Sequence, residues 1–331
     1  MTGRKRSVAI VGVGHGHSNL YIPALLASEG GQVVAVSEPD AEKRAFRAAQ
    51  LSVTNAYEDY EEMFDQHPDL DLVYVLGQHR HMARAAIKTA VRGYPFVIEK
   101  PGGMTLAEVL EIRDAVKNSG VSVAVPFVQR QGPLKTLFEQ AGPVQHVSLQ
   151  FLAGLSCRYR NGADWLLERE KAGGGVMLNL GVHFIDAFLH FCGDGFPVSV
   201  RSASLKTLEP DLEVEDHFSA VLESETGVTG FIEASYTYPS MNSRYVTFAV
   251  RGSQAFAVMG ADGSGHVRTV EGVRELALDP DSDRYYAPFV EAVYATLSTG
   301  FAGLPTLDDL VKVREITDYI TSINNRENSS H

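Results

Sequence analysis

A chain of 331 residues, 44% apolar and 21% charged, has the length of about two domains and the composition of a globular protein rather than a disordered chain, a collagen-like fibre or a disulfide scaffold. Its 29 basic and 41 acidic residues leave a net charge of −12, and the triplet Arg4-Lys5-Arg6 is too small a basic cluster for a nucleic-acid footprint and reads as a solvated start. No run approaches the roughly 18 consecutive apolar residues of a membrane span, and the short apolar strand after the triplet is not long enough for a signal-peptide core.

From Ser7 to about residue 126, continuously apolar runs alternate with amphipathic segments. Ser7–Val11, Gln32–Val36, Asp71–Leu76, Pro95–Ile98 and Val121–Val125 are predicted strands covered on both faces. Between them lie the predicted helices Asp40–Gln50, Tyr57–Gln66, Arg80–Arg92 and Leu106–Lys117, the last opening on the capping box Thr105-Leu-Ala-Glu108. This alternation predicts an α/β domain over residues 1–126 with a doubly wound parallel sheet.

The pattern changes after residue 127. Val147, Leu149 and Phe151 alternate with His146, Ser148 and Gln150, and the series Val228, Gly230, Ile232, Ala234, Tyr236 and Tyr238 alternates in the same way. Period-two patterning predicts an antiparallel sheet with two unlike faces. Val198–Leu205, Asp216–Leu222, Arg244–Val250, Gln254–Met259 and Val273–Leu278 are further candidate strands. One helix, about Gly175 to Phe191, interrupts them. A last helix is predicted from Thr306-Leu-Asp-Asp309 to near Ile323, with a frayed polar tail Asn324–His331. Residues 127–331 therefore read as a second, α+β domain. The two cysteines, Cys157 and Cys192, cannot form a framework and suggest free thiols in a reducing, cytoplasmic compartment.

Three motifs carry chemistry. After the first strand comes Gly12-Val13-Gly14-His15-Gly16-His17, where a strand must turn tightly into a helix and let backbone amides approach a pyrophosphate. Gly12 and Gly14 meet this demand, and His17 stands where a third glycine or alanine completes the fingerprint. Glu38, at the end of the next strand, is placed to accept hydrogen bonds from ribose hydroxyls and to repel a 2′-phosphate, which favours NAD over NADP. Glu99-Lys100-Pro101 follows the Pro95–Ile98 strand at the sheet edge where open α/β folds bind ligands. There a lysine can stabilise developing negative charge on a substrate oxygen, although the same string is at home in a solvated loop. On the second-half helix, Asn179, His183, Asp186 and His190 form a polar stripe among apolar residues. Such a stripe must be paired or line a pocket.

Taken together, these motifs resemble those of the glucose-fructose oxidoreductase / inositol dehydrogenase / MocA family. The resemblance runs from Ser7 to near Ile323. It is carried by Gly12-Val-Gly14, Glu99-Lys100-Pro101, Arg130-x-x-Pro133 and Asn179-x-Gly181-x-His183-x-x-Asp186 behind three glycines, with Trp165 and Asp216 in keeping. It implies an N-terminal Rossmann domain carrying a nicotinamide dinucleotide, and a C-terminal α+β domain with a large, mostly antiparallel open sheet whose face mediates dimers or tetramers. It further implies hydride transfer that interconverts a hydroxyl and a ketone on a sugar, polyol or sugar derivative. By the match, Lys100 and His183 are the catalytic pair, with Asn179 where an aspartate is common. Gly12, Gly14, His15, Gly16, His17, Glu38, Gln78, His81, Glu99, Lys100 and Trp165 are candidates for the cofactor. Lys100, Arg130, Tyr159, Arg160, Asn179 and His183 are candidates for the substrate.

The chain departs from the family pattern in places. Leu76-Gly77-Gln78 stands for Thr-Pro-Asn, Leu166 follows the tryptophan where arginine is usual, and an amide at Asn179 orients His183 without raising its basicity. Three other readings compete: a zinc site from His15, His17, His79 and His81, a dinucleotide-binding sensor or repressor, and a glycoside-cleaving enzyme that restores its NAD in each cycle. No metal, nucleic acid or membrane partner is expected.

Overall fold

The computed structural model describes residues 5–192 and 197–328. Arg4 of the basic triplet and the last three residues of the tail lie outside them. The chain divides into two compact units. One holds Met1–Pro126 with Glu170–Gly173 and Asp283–Val311; the other holds Phe127–Arg169, Gly174–Ser282 and Lys312–His331.

In the first unit the elements run β1 (Arg6–Val11), α1 (Ser18–Ala27), β2 (Gly31–Ser37), α2 (Ala41–Leu51), β3 (Ala56–Tyr57), α3 (Tyr60–Gln66), β4 (Leu72–Val75), α4 (His79–Val91), β5 (Phe96–Ile98), α5 (Leu106–Ser119) and β6 (Val123–Ala124). The six strands form one sheet in the order β3-β2-β1-β4-β5-β6, and every pair is parallel. The strand order reverses between β1 and β4, the switch point at which doubly wound sheets bind ligands. Val8, Ala9, Ile10 and the whole of β4 are buried, as strands covered on both faces require. Asp40 caps α2 by accepting from the Glu42 and Lys43 amides, and Thr105 with Glu108 forms the predicted capping box.

Two predictions need correction here. The helix predicted from Tyr57 starts at Tyr60, because Ala56–Tyr57 pairs with Val36–Ser37 as an edge strand and Asp59 supplies the cap. The helix α1 was not placed by the sequence. It carries Pro23 inside and has almost no amphipathic stripe, so neither of the usual signals marks it.

The second unit holds α6 (Pro133–Ala141), β7 (Val144–Leu152), a π-helical turn over Met177–Gly181, α8 (Val182–Cys192) and the strands β8 (Val198–Lys206), β9 (His217–Ser224), β10 (Thr229–Ser235), β11 (Tyr245–Gly252), β12 (Phe256–Met259), β13 (Ser264–Thr269) and β14 (Gly272–Ala277). The four-residue α7 (Arg169–Ala172), between β7 and the π turn in sequence, falls mostly in the first unit, as does the whole of α9 (Tyr286–Thr296), while α10 (Leu307–Asn328) starts in the first unit and continues in the second. The strands make an eight-stranded sheet in the order β14-β13-β12-β11-β7-β10-β9-β8. It is antiparallel except for β7 against β10, which pair in parallel from His146↔Thr229 to Leu152↔Ser235. Alternation reports one covered and one open face; it does not report strand direction. Leu149, Ile232, Phe248, Phe184 and Phe188 are buried in the core between this sheet and α8, with Phe184 in ring contact with Phe151 at 5.5 Å and Phe248 at 5.7 Å.

The predicted helix from Gly175 is thus a π turn followed by α8, with the Val182 amide reaching back to the Met177 carbonyl. At its start the chain passes so close to the segment before β9 that a Cβ on Gly175 would lie 2.0 Å from the Glu215 carbonyl oxygen. The final helix runs to Asn328, beyond the predicted end near Ile323. The run Arg169–Cys192 is long and apolar enough, by length and composition, to cross a membrane, and most of it is buried inside the fold.

Candidate active site

The first unit gathers its chemistry at the carboxyl ends of β1, β2, β4 and β5. Gly12 has φ +71°, and a Cβ there would meet the Gly77 Cα at 2.6 Å. Only glycine lets the turns after β1 and β4 approach so closely. The Gly14 amide donates to Glu38 Oε2 at 2.9 Å, and the Asp40 amide donates to Glu38 Oε1 at 3.2 Å. The carboxylate at the end of β2 is therefore aimed back over the glycine loop. Arg44 donates to the Glu38 and Pro39 carbonyls and fixes that turn.

Glu99 and Lys100 are buried, 0% and 2% exposed, which overturns the solvated-loop reading of Glu-Lys-Pro. The Tyr21 hydroxyl donates to Glu99 Oε1 at 2.9 Å, and His17 Nδ1 lies 3.2 Å from Glu99 Oε2. Burial by itself would raise the Glu99 carboxyl, but His17, then Lys100 and His15, hold it down at about 2. Burial lowers Lys100 to about 8, with Glu99 opposing part of the fall.

His15 is buried, and that burial, with His17 next, pushes it well below the ordinary histidine value. It is thus neutral, and its Nδ1 accepts the His17 amide at 3.1 Å. Gly16 lies in the same loop, half-buried. At the start of α4, Gln78 Oε1 is buried without a hydrogen-bond partner, as are the Ser18 and Ser37 hydroxyls. His81 is exposed and accepts from Arg80 Nε at 3.0 Å. His79, which the sequence reading set aside for a metal, is the buried histidine of that turn, with Nδ1 at 2.8 Å from the Ala172 carbonyl. Among the described residues no three or more His, Cys, Asp or Glu side chains are grouped to hold a metal ion.

This edge fits a dinucleotide. The glycine turn admits close backbone approach, a carboxylate stands at the ribose position, and orphaned polar atoms sit at the switch point where such a ligand binds.

The second unit carries the polar stripe of the buried helix, and the stripe is paired. Asp186 is completely buried and accepts a two-pronged bond from Arg130, Nε at 2.9 Å and Nη2 at 2.5 Å. Arg130 is thus tied to the helix rather than lying on the surface. Asn179, in the π turn, donates to the Tyr236 hydroxyl at 2.7 Å, and Tyr236 packs on Tyr159 with ring centroids 4.8 Å apart. His183 is buried and meets the edge of Phe127 at 6.1 Å. Trp165 is buried in the short helical turn Asp164–Leu167. Arg160 is exposed, 3.9 Å from Glu209.

Glu215 is a residue the sequence reading missed. Its carboxylate is buried, and desolvation raises its proton affinity above the usual range, with the nearby Glu215, Gly175 and Met177 amides and Arg169 opposing part of the rise. Its neighbour Asp216 accepts from the Leu208 and Glu209 amides and orders the turn before β9. The two free cysteines are Cys157, half-buried, and Cys192, buried.

Comparison with known proteins agrees with this arrangement. Residues 6–127 match the oxidoreductase family with an NAD-binding Rossmann fold, and residues 139–264 match the GFO/IDH/MocA C-terminal domain. A D-xylose 1-dehydrogenase (NADP(+)) of Haloferax volcanii is 30% identical over 227 residues, which cover 66% of each chain. This chain therefore spans just under two thirds of that relative's length. A 1,5-anhydro-D-fructose reductase of Ensifer adhaerens is 25% identical over 78% of this chain and 79% of its own. The fold matches that of a levoglucosan dehydrogenase in complex with NADH (TM-score 0.83, 21% identity, 98% of both chains). It also matches that of an Agrobacterium radiobacter oxidoreductase in complex with NAD+, L-tartaric acid and magnesium (TM-score 0.86, 15% identity, 97% of this chain and 96% of that one). With the doubly wound sheet, the glycine turn and the buried Glu-Lys-Pro already in place, the chain belongs to the GFO/IDH/MocA family of oxidoreductases and carries its NAD-binding Rossmann domain.

Proposed function

We propose that this oxidoreductase interconverts a hydroxyl and a ketone on a sugar, polyol or sugar derivative, with NAD rather than NADP as its partner. The observation that carries the reading is Lys100, a buried ammonium at the carboxyl end of β5 whose proton affinity is brought down to about 8. A group tuned near the working pH can give a proton to a substrate oxygen or steady its charge as the C–H bond breaks. His183 is the general base that takes the hydroxyl proton, and Asn179 orients it. Tyr159, Arg130 and Arg160 are assigned to substrate recognition, with Arg130 acting through its bond to Asp186 on the His183 helix. The dinucleotide is assigned to Gly12, Gly14, His15, Gly16, His17, Glu38, Gln78, His81, Glu99, Lys100 and Trp165. When bound it supplies the hydride acceptor or donor; the protein supplies position and field. Names of relatives that act on xylose, anhydrofructose and levoglucosan support the substrate class. A screen of sugars and polyols for NADH formation tests it, and a protein inert toward every member of the screen overturns it.

Glu38 decides between the two dinucleotides. Its carboxylate already bonds the Gly14 amide at the place where a ribose hydroxyl is read. Replacing it removes a charge-assisted acceptor, which is worth about 1.5–3 kcal/mol. Glu38→Ala is expected to weaken NAD binding by about ten- to a hundredfold and to cut the preference over NADP by at least as much. Fluorescence titration with both nucleotides measures this, and an unchanged ratio of dissociation constants contradicts it.

The partner in assembly is a second copy of the chain. Val221, Phe231, Ala249 and Val258 lie half-buried on the open face of the eight-stranded sheet, an apolar centre suited to a matching sheet. Sedimentation equilibrium tests this, a monomer at micromolar concentration being the contrary result. The free thiols accord with a cytoplasmic location, for which localisation of the tagged protein is the test.

A further inference from the structure

The third position of the glycine fingerprint is occupied by a histidine where a glycine or alanine completes the pattern. His17 stands at the entrance to α1, its ring edge-on to His15 at 4.9 Å and to Tyr286 at 5.5 Å. Its Nδ1 lies 3.2 Å from Glu99 Oε2, a close contact without hydrogen-bond geometry, and 3.3 Å from the Tyr286 hydroxyl, with which it shares a hydrogen bond. On the other side of the carboxylate the Tyr21 hydroxyl donates at 2.9 Å, and burial keeps that phenol protonated. Glu99 is 0% exposed, so its charge must be met inside the protein or expelled. The charged and titratable groups around this carboxylate are His17, Tyr21, Lys100 and His15, with His79 beside His15.

We propose that His17 is a positioning residue for Lys100: its Nδ1 pins the Glu99 carboxylate, and the pinned charge holds the neighbouring ammonium in place and in its protonated form. The consequence for turnover rests on the hydride-transfer reading above; the consequence for the lysine does not. With the pin removed, the carboxylate is free to turn away or take up a proton. Lys100, still desolvated, then loses the support that this charge gives its ionised state.

The test follows Lys100 directly by NMR titration of ε-carbon-labelled lysine, the signal being assigned by its loss in Lys100→Met. The native protein is expected to show a midpoint near 8. In His17→Ala the midpoint falls by about half a unit or more, while His17→Asn, which keeps an N–H where Nδ1 stood, retains most of the native value. His17→Phe preserves the ring packing against His15 and Tyr286 and serves if the alanine variant does not fold; it is expected to fall as the alanine variant does. NADH binding measured alongside separates the alternatives. Weaker binding with an unmoved lysine midpoint in His17→Ala and His17→Phe shows a purely structural role and overturns the proposal. Failure of every polyol to react overturns the hydride-transfer reading and leaves this titration as the judge of the His17 assignment.

Discussion

Replacing Lys100 with methionine is expected to lower kcat about a thousandfold. Methionine keeps the buried stem and removes the ammonium, so packing at this nearly fully buried position is preserved. The pH profile gives a second reading of the same group. Lys100 is protonated below its midpoint of about 8 and neutral above it. Ketone reduction, which draws on the ammonium, is therefore expected to be level below that pH and to fall about tenfold per unit above it. The methionine variant should show no such limb. Turnover within tenfold of the native rate, or a limb that survives the substitution, contradicts the role.

Asp186→Ala is expected to destabilise the protein by about 3–5 kcal/mol, because it strands the Arg130 guanidinium where little water reaches it. The pair is two-pronged and its carboxylate is completely buried. Asp186→Asn keeps the shape and one acceptor oxygen, and is expected to lose less. Urea denaturation of both variants, compared at the midpoint with unchanged slope, measures the effect. A loss below about 1 kcal/mol for the alanine variant shows that the pair does not hold the His183 helix.

What could be read from the sequence depended on whether the signal was local. The continuously apolar strands Val8–Val11 and Leu72–Val75, the capping box at Thr105 and Glu108, and Gly12 were legible because each follows from a few adjacent residues. Glu-Lys-Pro was ambiguous alone, and its burial became evident only in the fold. The partners of the polar side chains were not legible. Nothing near residue 130 announces that Arg130 meets Asp186, or near residue 17 that His17 meets Glu99 and Tyr286. Those pairs join segments far apart in sequence and exist only once the sheets close. Helix α1 escaped because Pro23 and an all-round apolar surface mask its period. Helix α6, with Pro133 at its first position, was passed over although Pro at a helix start is a recognisable signal. Strand β13 is made of Ser264-Gly-His-Val-Arg-Thr269, too polar for a strand pattern, and is carried by its neighbours β12 and β14. The π turn inside the predicted helix depends on the close pass of Gly175 against Glu215, another contact between distant segments.

The central claim is that a hydride passes between a substrate carbinol carbon and NAD with net oxidation or reduction. The most direct test supplies a sugar or polyol that turns over, labelled with deuterium at the reacting carbon. The account predicts reduced cofactor formed one for one with ketone and carrying the deuterium, accompanied by a slowed rate. Release of sugar from a glycoside with no net reduction of NAD, or tight NAD binding with no chemistry on any substrate, would contradict it.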